Sequence, residues 1–510
     1  MNSRLSPQTL VAVVGAGAMG AGIAQVAAAA GHPVKLLDTR PGAAAAAIMG
    51  IRGQFKRLAD KGKMSHESSA AASQRLTAVD ALAELADAGL VIEAIIEDLA
   101  AKNALFTELE SLCREDCLFA TNTSSISVTA IGAALKNPGR LAGLHFFNPA
   151  PLMALVEVVS GLASDPAVAA TLYATAKAWG KTPVHARSTP GFIVNRVARP
   201  YYAEALRQLH EGMADCATLD AIMREAGGFR MGPFELIDLV GLDINFAVTQ
   251  SVWQAYFNDP RFTPSPVLRE YVAAGWLGRK RGRGFFDYAE GAPKPMPVTE
   301  AACPAPADIM LIGDSALTAA LMERLAARGI AFRHMAQEAP GIVARAGDAR
   351  LMLTDGGSAT RRARRENQPN TLVVDLALDY TQATRLAVAA AESCSPAAVA
   401  AGVGLLQAAG FAVSRLKDGP GLPVMRTLAM LANEAADAVN QGVASAEAID
   451  TAMRLGVSYP RGPLEWAAAV GLPVIHDVLV NLAASYGEDR YRISPWLQQR
   501  VDAAFWPKQT

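Results

Sequence analysis

The chain has 510 residues, enough for three or four domains, and 51% of them are hydrophobic, which predicts a folded multidomain protein. Its formal net charge of -1 gives no reason to expect DNA, RNA or an anionic membrane surface as a partner. The five cysteines, Cys113, Cys117, Cys216, Cys303 and Cys394, are scattered and odd in number, and no second ligand pair makes Cys113 and Cys117 a metal site; reduced thiols in a cytoplasmic protein are expected.

Val11-Ala12-Val13-Val14 reads as a buried parallel strand running into the loop Gly15-Ala16-Gly17-Ala18-Met19-Gly20, then a helix over Ala21 to Ala30 stopped by Gly31. Gly15 allows the tight turn, Gly17 lets the backbone approach a pyrophosphate, and Gly20 lets the helix pack on the strand. The free N–H groups at the helix start then face the anion. A second strand, Val34 to Leu37, ends at Asp38. That is about the distance at which a carboxylate reaches an adenosine ribose 2′-OH and repels a 2′-phosphate. NAD rather than NADP is expected, with Arg40 the one nearby residue that could soften the preference. Leu10 to Gly31 carries no charged side chain, as a signal or anchor would, but fingerprint glycines and a strand ending in acid predict a nucleotide fold instead.

An alanine-rich helical stretch follows, with the basic run Phe55 to Lys63, which reads equally as a solvated helix face or as a contact for the phosphates of a large anionic substrate. Strands at Leu90 to Glu93, Leu118 to Ala120 and Leu141 to Phe147 alternate with helices such as Asp98 to Leu112, predicting a doubly wound parallel sheet. From Pro190-Gly191 helical periodicity takes over until Gly282-Arg283-Gly284, and Ala289 to Pro306, rich in Pro and Ala, reads as a linker.

An internal repeat in constant register organises the rest: Pro190-Gly191 matches Pro420-Gly421, Arg196 matches Arg426, Glu204 matches Glu434, Asp220 matches Asp450, and Gly232-Pro233 matches Gly462-Pro463. Between the copies, Ile309 to Ser315 again reads as strand, turn and helix, with further strands at Leu351 to Leu353 and Leu372 to Val374. Ser315 and Thr318 stand at the spacing of Gly17 and Gly20, so Cβ atoms should obstruct a pyrophosphate there. The fold class expected is α/β plus all-α. Its parts are a Rossmann-type domain (1–188), a helical domain (189–288), a linker (289–306), a degenerate Rossmann-like segment (307–414) and a second helical domain (415–510).

His145 stands at the end of the strand that leads to Asn148, and Glu157 on the next strand, Leu155 to Val159. A neutral imidazole can take a proton from an alcohol, and an ionised neighbour fixes its tautomer and stabilises the imidazolium that forms. Beside a nicotinamide, that chemistry is alcohol dehydrogenation. Taken alone, His145 is more often a satisfied core histidine than a base, and Glu157 more often a strand-end surface acid; their place at the carboxyl ends of strands in a dinucleotide fold moves the balance toward function. Ser124, in Thr121 to Ser125, and Asn195, in Pro190 to Arg196, can donate to a substrate oxygen; the alternatives are an N-cap before Val128 and a helix-buried amide.

With GAGAMGAGIA, EAIIEDLAAK, TNTSS, HFFNPAPLMALVEVVSG, TPGFIVNR and MGPFELIDLVG in hand, the chain resembles the L-3-hydroxyacyl-CoA dehydrogenase family over residues 8 to 290 and, for the duplicated helical domain, 415 to 510. The resemblance implies NAD-dependent oxidation of an L-3-hydroxyacyl-CoA, with His145 and Glu157 as the catalytic pair and Ser124 and Asn195 contacting substrate. It places NAD contacts on Gly15, Ala16, Gly17, Ala18, Met19, Gly20, Asp38, Glu97, Lys102, Ser124, Asn148 and Lys280, and CoA contacts around Gln54, Lys61 and Ser124. The two-copy layout is similar to long bacterial members, among them the 3-hydroxyadipyl-CoA dehydrogenases of phenylacetate breakdown and longer 3-hydroxybutyryl-CoA dehydrogenases. Single-copy relatives dimerise through the helical domain. Met425 matches Asn195 and nothing in the middle segment matches His145 or Glu157, so the second half is expected to be inactive and to pack on the first as an internal partner, with a homodimer also in view. A non-catalytic NAD-binding scaffold would have no use for His145, Glu157 and Asn195 together. A β-hydroxyacid dehydrogenase without CoA would rely on a helix-borne lysine.

Overall fold

A computed structural model describes residues 4–336 and 341–505, and these divide into two compact units, one of residues 4–196 with Gln441–Val457 and one of residues 197–336 and 341–440 with 458–505. The first unit is built on an eight-stranded sheet. Its strands are β1 (Val11–Val14), β2 (Val34–Leu37), β3 (Leu76–Val79), β4 (Leu90–Glu93), β5 (Leu118–Thr121), β6 (Leu141–Phe146), β7 (Leu155–Ser160) and β8 (Thr182–Arg187), in the order β3-β2-β1-β4-β5-β6-β7-β8. β1 reverses the direction of winding between β2 and β4, so the loop after it opens at the switch point where open α/β sheets bind ligands. The central strands read as unbroken apolar runs because both faces are covered: Val11, Ala12 and Val13 are fully buried.

The structure departs from the expected parallel sheet at one place. β6 and β7 pair antiparallel, with His145 directly opposite Glu157. The short loop between them, Phe147 to Ala154, leaves no room for the crossover helix that a parallel pair requires. The first helix also starts earlier than expected, running Ala18–Ala29 with Gly17 as its N-cap. β3 and β8 escape the sequence reading because β3 has two exposed central residues and β8 alternates around Pro183 and His185, so neither forms an apolar run.

In the second unit, β9 (Ile309–Ile312), β10 (Arg333–Met335), β11 (Ile342–Ala346), β12 (Ala349–Leu353), β13 (Thr371–Val374), β14 (Arg385–Ala390) and β15 (Ala412–Arg415) form a mixed sheet in the order β10-β9-β11-β12-β13-β14-β15. The Pro- and Ala-rich stretch before it is docked rather than free: Glu300 N–H donates to Val413 O at 2.8 Å and Cys303 N–H to Gln407 Oε1 at 2.8 Å.

The two helical copies pack together inside this unit. Helix Arg199–His210 lies along helix Pro423–Asn440, and Arg426 Nε donates to Glu204 Oε2 at 2.7 Å where both side chains are buried. Tyr491 OH donates to the same Glu204 oxygen at 3.1 Å, and Arg207 makes two 2.8 Å bonds to Glu488. Helix Ala446–Gly456, although part of the second copy, belongs to the first unit, where it covers β7 and β8 and Arg187 N–H donates to Val443 O at 2.9 Å. Among the described residues no single helix is long and apolar enough to cross a membrane.

Candidate active site

Gly15 has φ +105°, and a Cβ there would stand 2.3 Å from Ala94 O; a Cβ on Gly20 would stand 1.8 Å from Gly15 O. Both glycines are therefore required by the fold itself. Gly17 differs, since a Cβ there would meet no protein atom within 4 Å. Packing among the described residues does not require a glycine here, and the open space over the start of helix Ala18–Ala29 fits a pyrophosphate. In the second unit the matching helix, Ala316–Ala327, is closed by its own residues. Ser315 Oγ accepts from Thr318 N–H at 3.1 Å, and Thr318 Oγ1 donates to Ile312 O at 2.9 Å.

Asp38 ends β2 and ties it to the glycine loop by accepting from Ala16 N–H at 2.8 Å. The hydrogen bonds of Arg40 hold its carboxyl far below the usual range, against the effect of burial. Arg40 is thereby neutralised beside the acid it was expected to oppose, and the site keeps a carboxylate where a ribose diol would bind.

Below the glycine loop a cleft of about 360 Å³ is lined by Met19, Glu97, Lys102, Ser124, His145, Asn148 and Asn195, together with the ends of the neighbouring strands. His145 Nδ1 lies 2.6 Å from Glu157 Oε2, and both side chains are buried. Glu157 Oε1 accepts from Ile193 N–H at 3.1 Å and Val194 N–H at 3.0 Å, so the short helix Val194–Val197, which carries Asn195, is fastened to the acid that orients the histidine. The imidazole is held from its sides by Phe147, 4.5 Å away, and Phe192, 5.8 Å away. With Nδ1–H donated to a carboxylate that already accepts two backbone N–H groups, Nε2 is left as the basic nitrogen.

Glu97 gathers the polar loop. Its Oε1 accepts from Thr123 Oγ1 at 2.6 Å and from the N–H groups of Ser124 and Ser125 at 3.0 Å each. Burial works against its charge, but the Thr123 hydroxyl and the Lys102 ammonium outweigh burial and hold the carboxyl below its ordinary range. Lys102 is itself buried, 2.5 Å from Glu93 and 3.3 Å from Glu97. Glu93, fully buried, accepts also from Thr121 Oγ1 at 2.6 Å. The sequence reading missed Glu93, and a signal for it was present: an acid closing the otherwise apolar strand Leu90 to Glu93. Asn122 was also passed over, and its Oδ1 accepts from Phe146 N–H at 2.8 Å, fixing the backbone beside His145. Gln54 and Lys61 are exposed on or just after helix Ala43–Asp60 and do not line the cleft. Lys280 belongs to the other unit, where it pairs with Asp243 at 2.6 Å.

A model of the NAD-binding domain of 3-hydroxyacyl-CoA dehydrogenase matches residues 10–189, and one of its C-terminal domain matches both 191–288 and 421–510. The reduced Rossmann-fold domain of 3-hydroxybutyryl-CoA dehydrogenase matches residues 351–420. The 3-hydroxyadipyl-CoA dehydrogenase of Escherichia coli is 44% identical over 493 residues, covering 96% of this chain and 97% of the relative. The chain belongs to the 3-hydroxyacyl-CoA dehydrogenase family. A crystal structure of 3-hydroxybutyryl-CoA dehydrogenase from Escherichia coli superposes with TM-score 0.89 at 43% identity, covering 98% of this chain and all of that one. A probable 3-hydroxybutyryl-CoA dehydrogenase of Bacillus subtilis is 41% identical over 280 residues, which is 55% of this chain and 97% of the relative. The long chain is thus an NAD-dependent 3-hydroxyacyl-CoA dehydrogenase whose second half continues past the length of the single-copy relatives.

The repeat register extends into the second sheet, where an offset of 230 residues puts Asp375 at the place of His145 and Ala387 at that of Glu157. Asp375 and Ala387 face each other as the catalytic pair does, with Asp375 N–H donating to Ala387 O at 3.0 Å. The aspartate takes over the helix contact of Glu157, accepting from Val424 N–H at 2.8 Å and Met425 N–H at 3.1 Å. Burial pushes its carboxyl up to about 7, although these N–H groups favour the charged form. Between the ordinary carboxylate range and pH 7 the folded protein holds a proton that the unfolded chain releases, so the Asp375 contribution to stability declines as pH rises through that window. Unfolding curves at pH 5 and pH 8 should therefore show wild type losing stability relative to Asp375→Asn; an unchanged difference would dissociate the carboxyl from this effect.

Proposed function

We propose that His145 is the general base that takes the C3 hydroxyl proton of a 3-hydroxyacyl-CoA, that Glu157 orients it, and that Ser124 and Asn195 position the oxygen being oxidised. The observation that carries this reading is the 2.6 Å contact between His145 and Glu157 at a cleft beside the glycine loop. The loop Gly15 to Gly20 and Asp38 would hold NAD, which when bound would supply the acceptor for the C3 hydride. His145 Nε2 receives the proton from the hydroxyl as the C3–H bond breaks, and the resulting imidazolium rests against Glu157 without the acid having to move. Lys102 and Glu97 set the polar loop that carries Ser124.

For the acyl group we favour 3-hydroxyadipyl-CoA, which would place the enzyme in phenylacetate breakdown in the cytoplasm. Similarity to a 3-hydroxyadipyl-CoA dehydrogenase over nearly the full length of both chains supports it. Arg230, exposed after Gly228-Phe229, is the guanidinium proposed to pair with the distal carboxylate. The second reading, 3-hydroxybutyryl-CoA, is supported by the Escherichia coli crystal structure of that description. NADH formation measured against both thioesters decides between them. Arg230→Ala is expected to lower kcat/KM about 10- to 100-fold on 3-hydroxyadipyl-CoA and to leave 3-hydroxybutyryl-CoA unaffected. Equal losses on both remove the arginine from substrate recognition.

A further inference from the structure

We propose that the second unit contains a buried anion site at Arg199, sized for a monatomic anion such as chloride. Arg199 opens helix Arg199–His210 and is only 7% exposed. Its Nη1 donates to the neutral hydroxyl of Thr249 at 3.1 Å, its guanidinium lies 5.0 Å from the centre of the Tyr202 ring, and its buried Nε has no hydrogen-bond partner among the described residues. The groups acting on its charge are tyrosines rather than acids, and burial lowers its pKa from the ordinary arginine value.

A second buried guanidinium, Arg261, faces the same cavity, but Asp259, Glu434 and Asp437 neutralise it. Asp259 and Asp437 are shared with Arg492, and none of the three acids is among the groups that act on Arg199, so the Arg199 charge has no acid beside it among the described residues, a costly condition unless a counter-ion accompanies it. The cavity between Arg199 and Arg261 is about 20 Å³, room for one small group such as a water or a halide ion. Asn245 at its wall is 3% exposed, and its Oδ1 also lacks a partner among the described residues. Turning that amide over offers its NH₂ to an anion. A water in the cavity would satisfy hydrogen bonds but leave the charge unbalanced.

The second copy provides an internal control. At the same register Arg199, Tyr202, Asn245 and Thr249 become Ala429, Ala432, Ile475 and Leu479, all buried and apolar. The helical scaffold therefore packs without this polar cluster, and the first copy carries it for another reason.

The test is thermal unfolding of the full chain at constant ionic strength as sodium gluconate, too large to enter, is replaced by sodium chloride. Wild-type Tm is expected to rise saturably, by about 2–4 °C at tenfold excess over Kd. Arg199→Met should show no such rise, and in gluconate it should be at least as stable as wild type because the lone charge is gone. Bromide soaked into wild-type crystals should give an anomalous peak against Arg199 Nε, a readout that does not depend on the variant folding. Equal chloride responses in the two proteins, or a cavity without bromide, overturn the proposal. So does a selective loss by Arg199→Met on a dicarboxylic 3-hydroxyacyl-CoA, which would assign the cation to substrate instead.

Discussion

Glu157→Gln is expected to lower kcat by about 10²- to 10⁴-fold while leaving the affinity for NAD nearly unchanged. The magnitude follows from the two jobs of one carboxylate. Oε1 accepts from Ile193 and Val194 N–H groups, and Oε2 accepts from His145 Nδ1. A glutamine has only one acceptor oxygen. If that oxygen keeps the two backbone donors, the NH₂ is turned toward His145, which must then present a lone pair at Nδ1 and carry its hydrogen at Nε2. The base is thereby placed in the wrong tautomer, with no carboxylate to steady the imidazolium. If the amide turns the other way, the anchor of the helix bearing Asn195 is lost instead. Either outcome lies on the chemical step, whereas Asp38 and the glycine loop are untouched. Steady-state NADH formation, with NAD binding followed by fluorescence, checks both halves; wild-type turnover in this variant would remove Glu157 from the mechanism.

Arg426→Met is expected to destabilise the second unit by about 3–5 kcal/mol, lowering Tm by roughly 5–8 °C. Arg426 and Glu204 are both essentially inaccessible to solvent and join the two helical copies at 2.7 Å. Removing the cation leaves Glu204 with the 3.1 Å bond from Tyr491 and a longer approach from Arg490 at 3.8 Å, so a carboxylate stays buried without its main counter-charge. The double variant Arg426→Met with Glu204→Leu should recover most of the loss, because two apolar side chains of similar volume need no compensation. Calorimetry on the three proteins distinguishes a desolvated charge from a simple packing defect: a packing defect would leave the double variant no better than the single one.

The acid that closes β4 shows how site and scaffold share residues. Glu93 lies at the end of a strand whose other residues are apolar, yet it holds Lys102, which in turn holds Glu97 and the loop of Ser124. Residues that touch the cleft are therefore set by one that does not.

What the sequence determined by itself was local or repetitive. Gly15, Gly17 and Gly20 have meaning within a few residues of chain, since φ at Gly15 and the close approach at Gly20 are properties of one turn. The duplication was equally legible, because matched residues such as Arg196 and Arg426 recur in constant register whatever surrounds them. Tertiary structure decided the rest. His145 meets Glu157 because β6 and β7 run antiparallel, and strand direction is set by which loop can bridge the ends rather than by either strand alone. The polar spacing of β3 and β8 concealed strands that only neighbours in the sheet could stabilise. Helix Ala446–Gly456 covers β7 and β8 of the first sheet, a pairing far apart in sequence, and burial of apolar surface has no direction that a local pattern can encode.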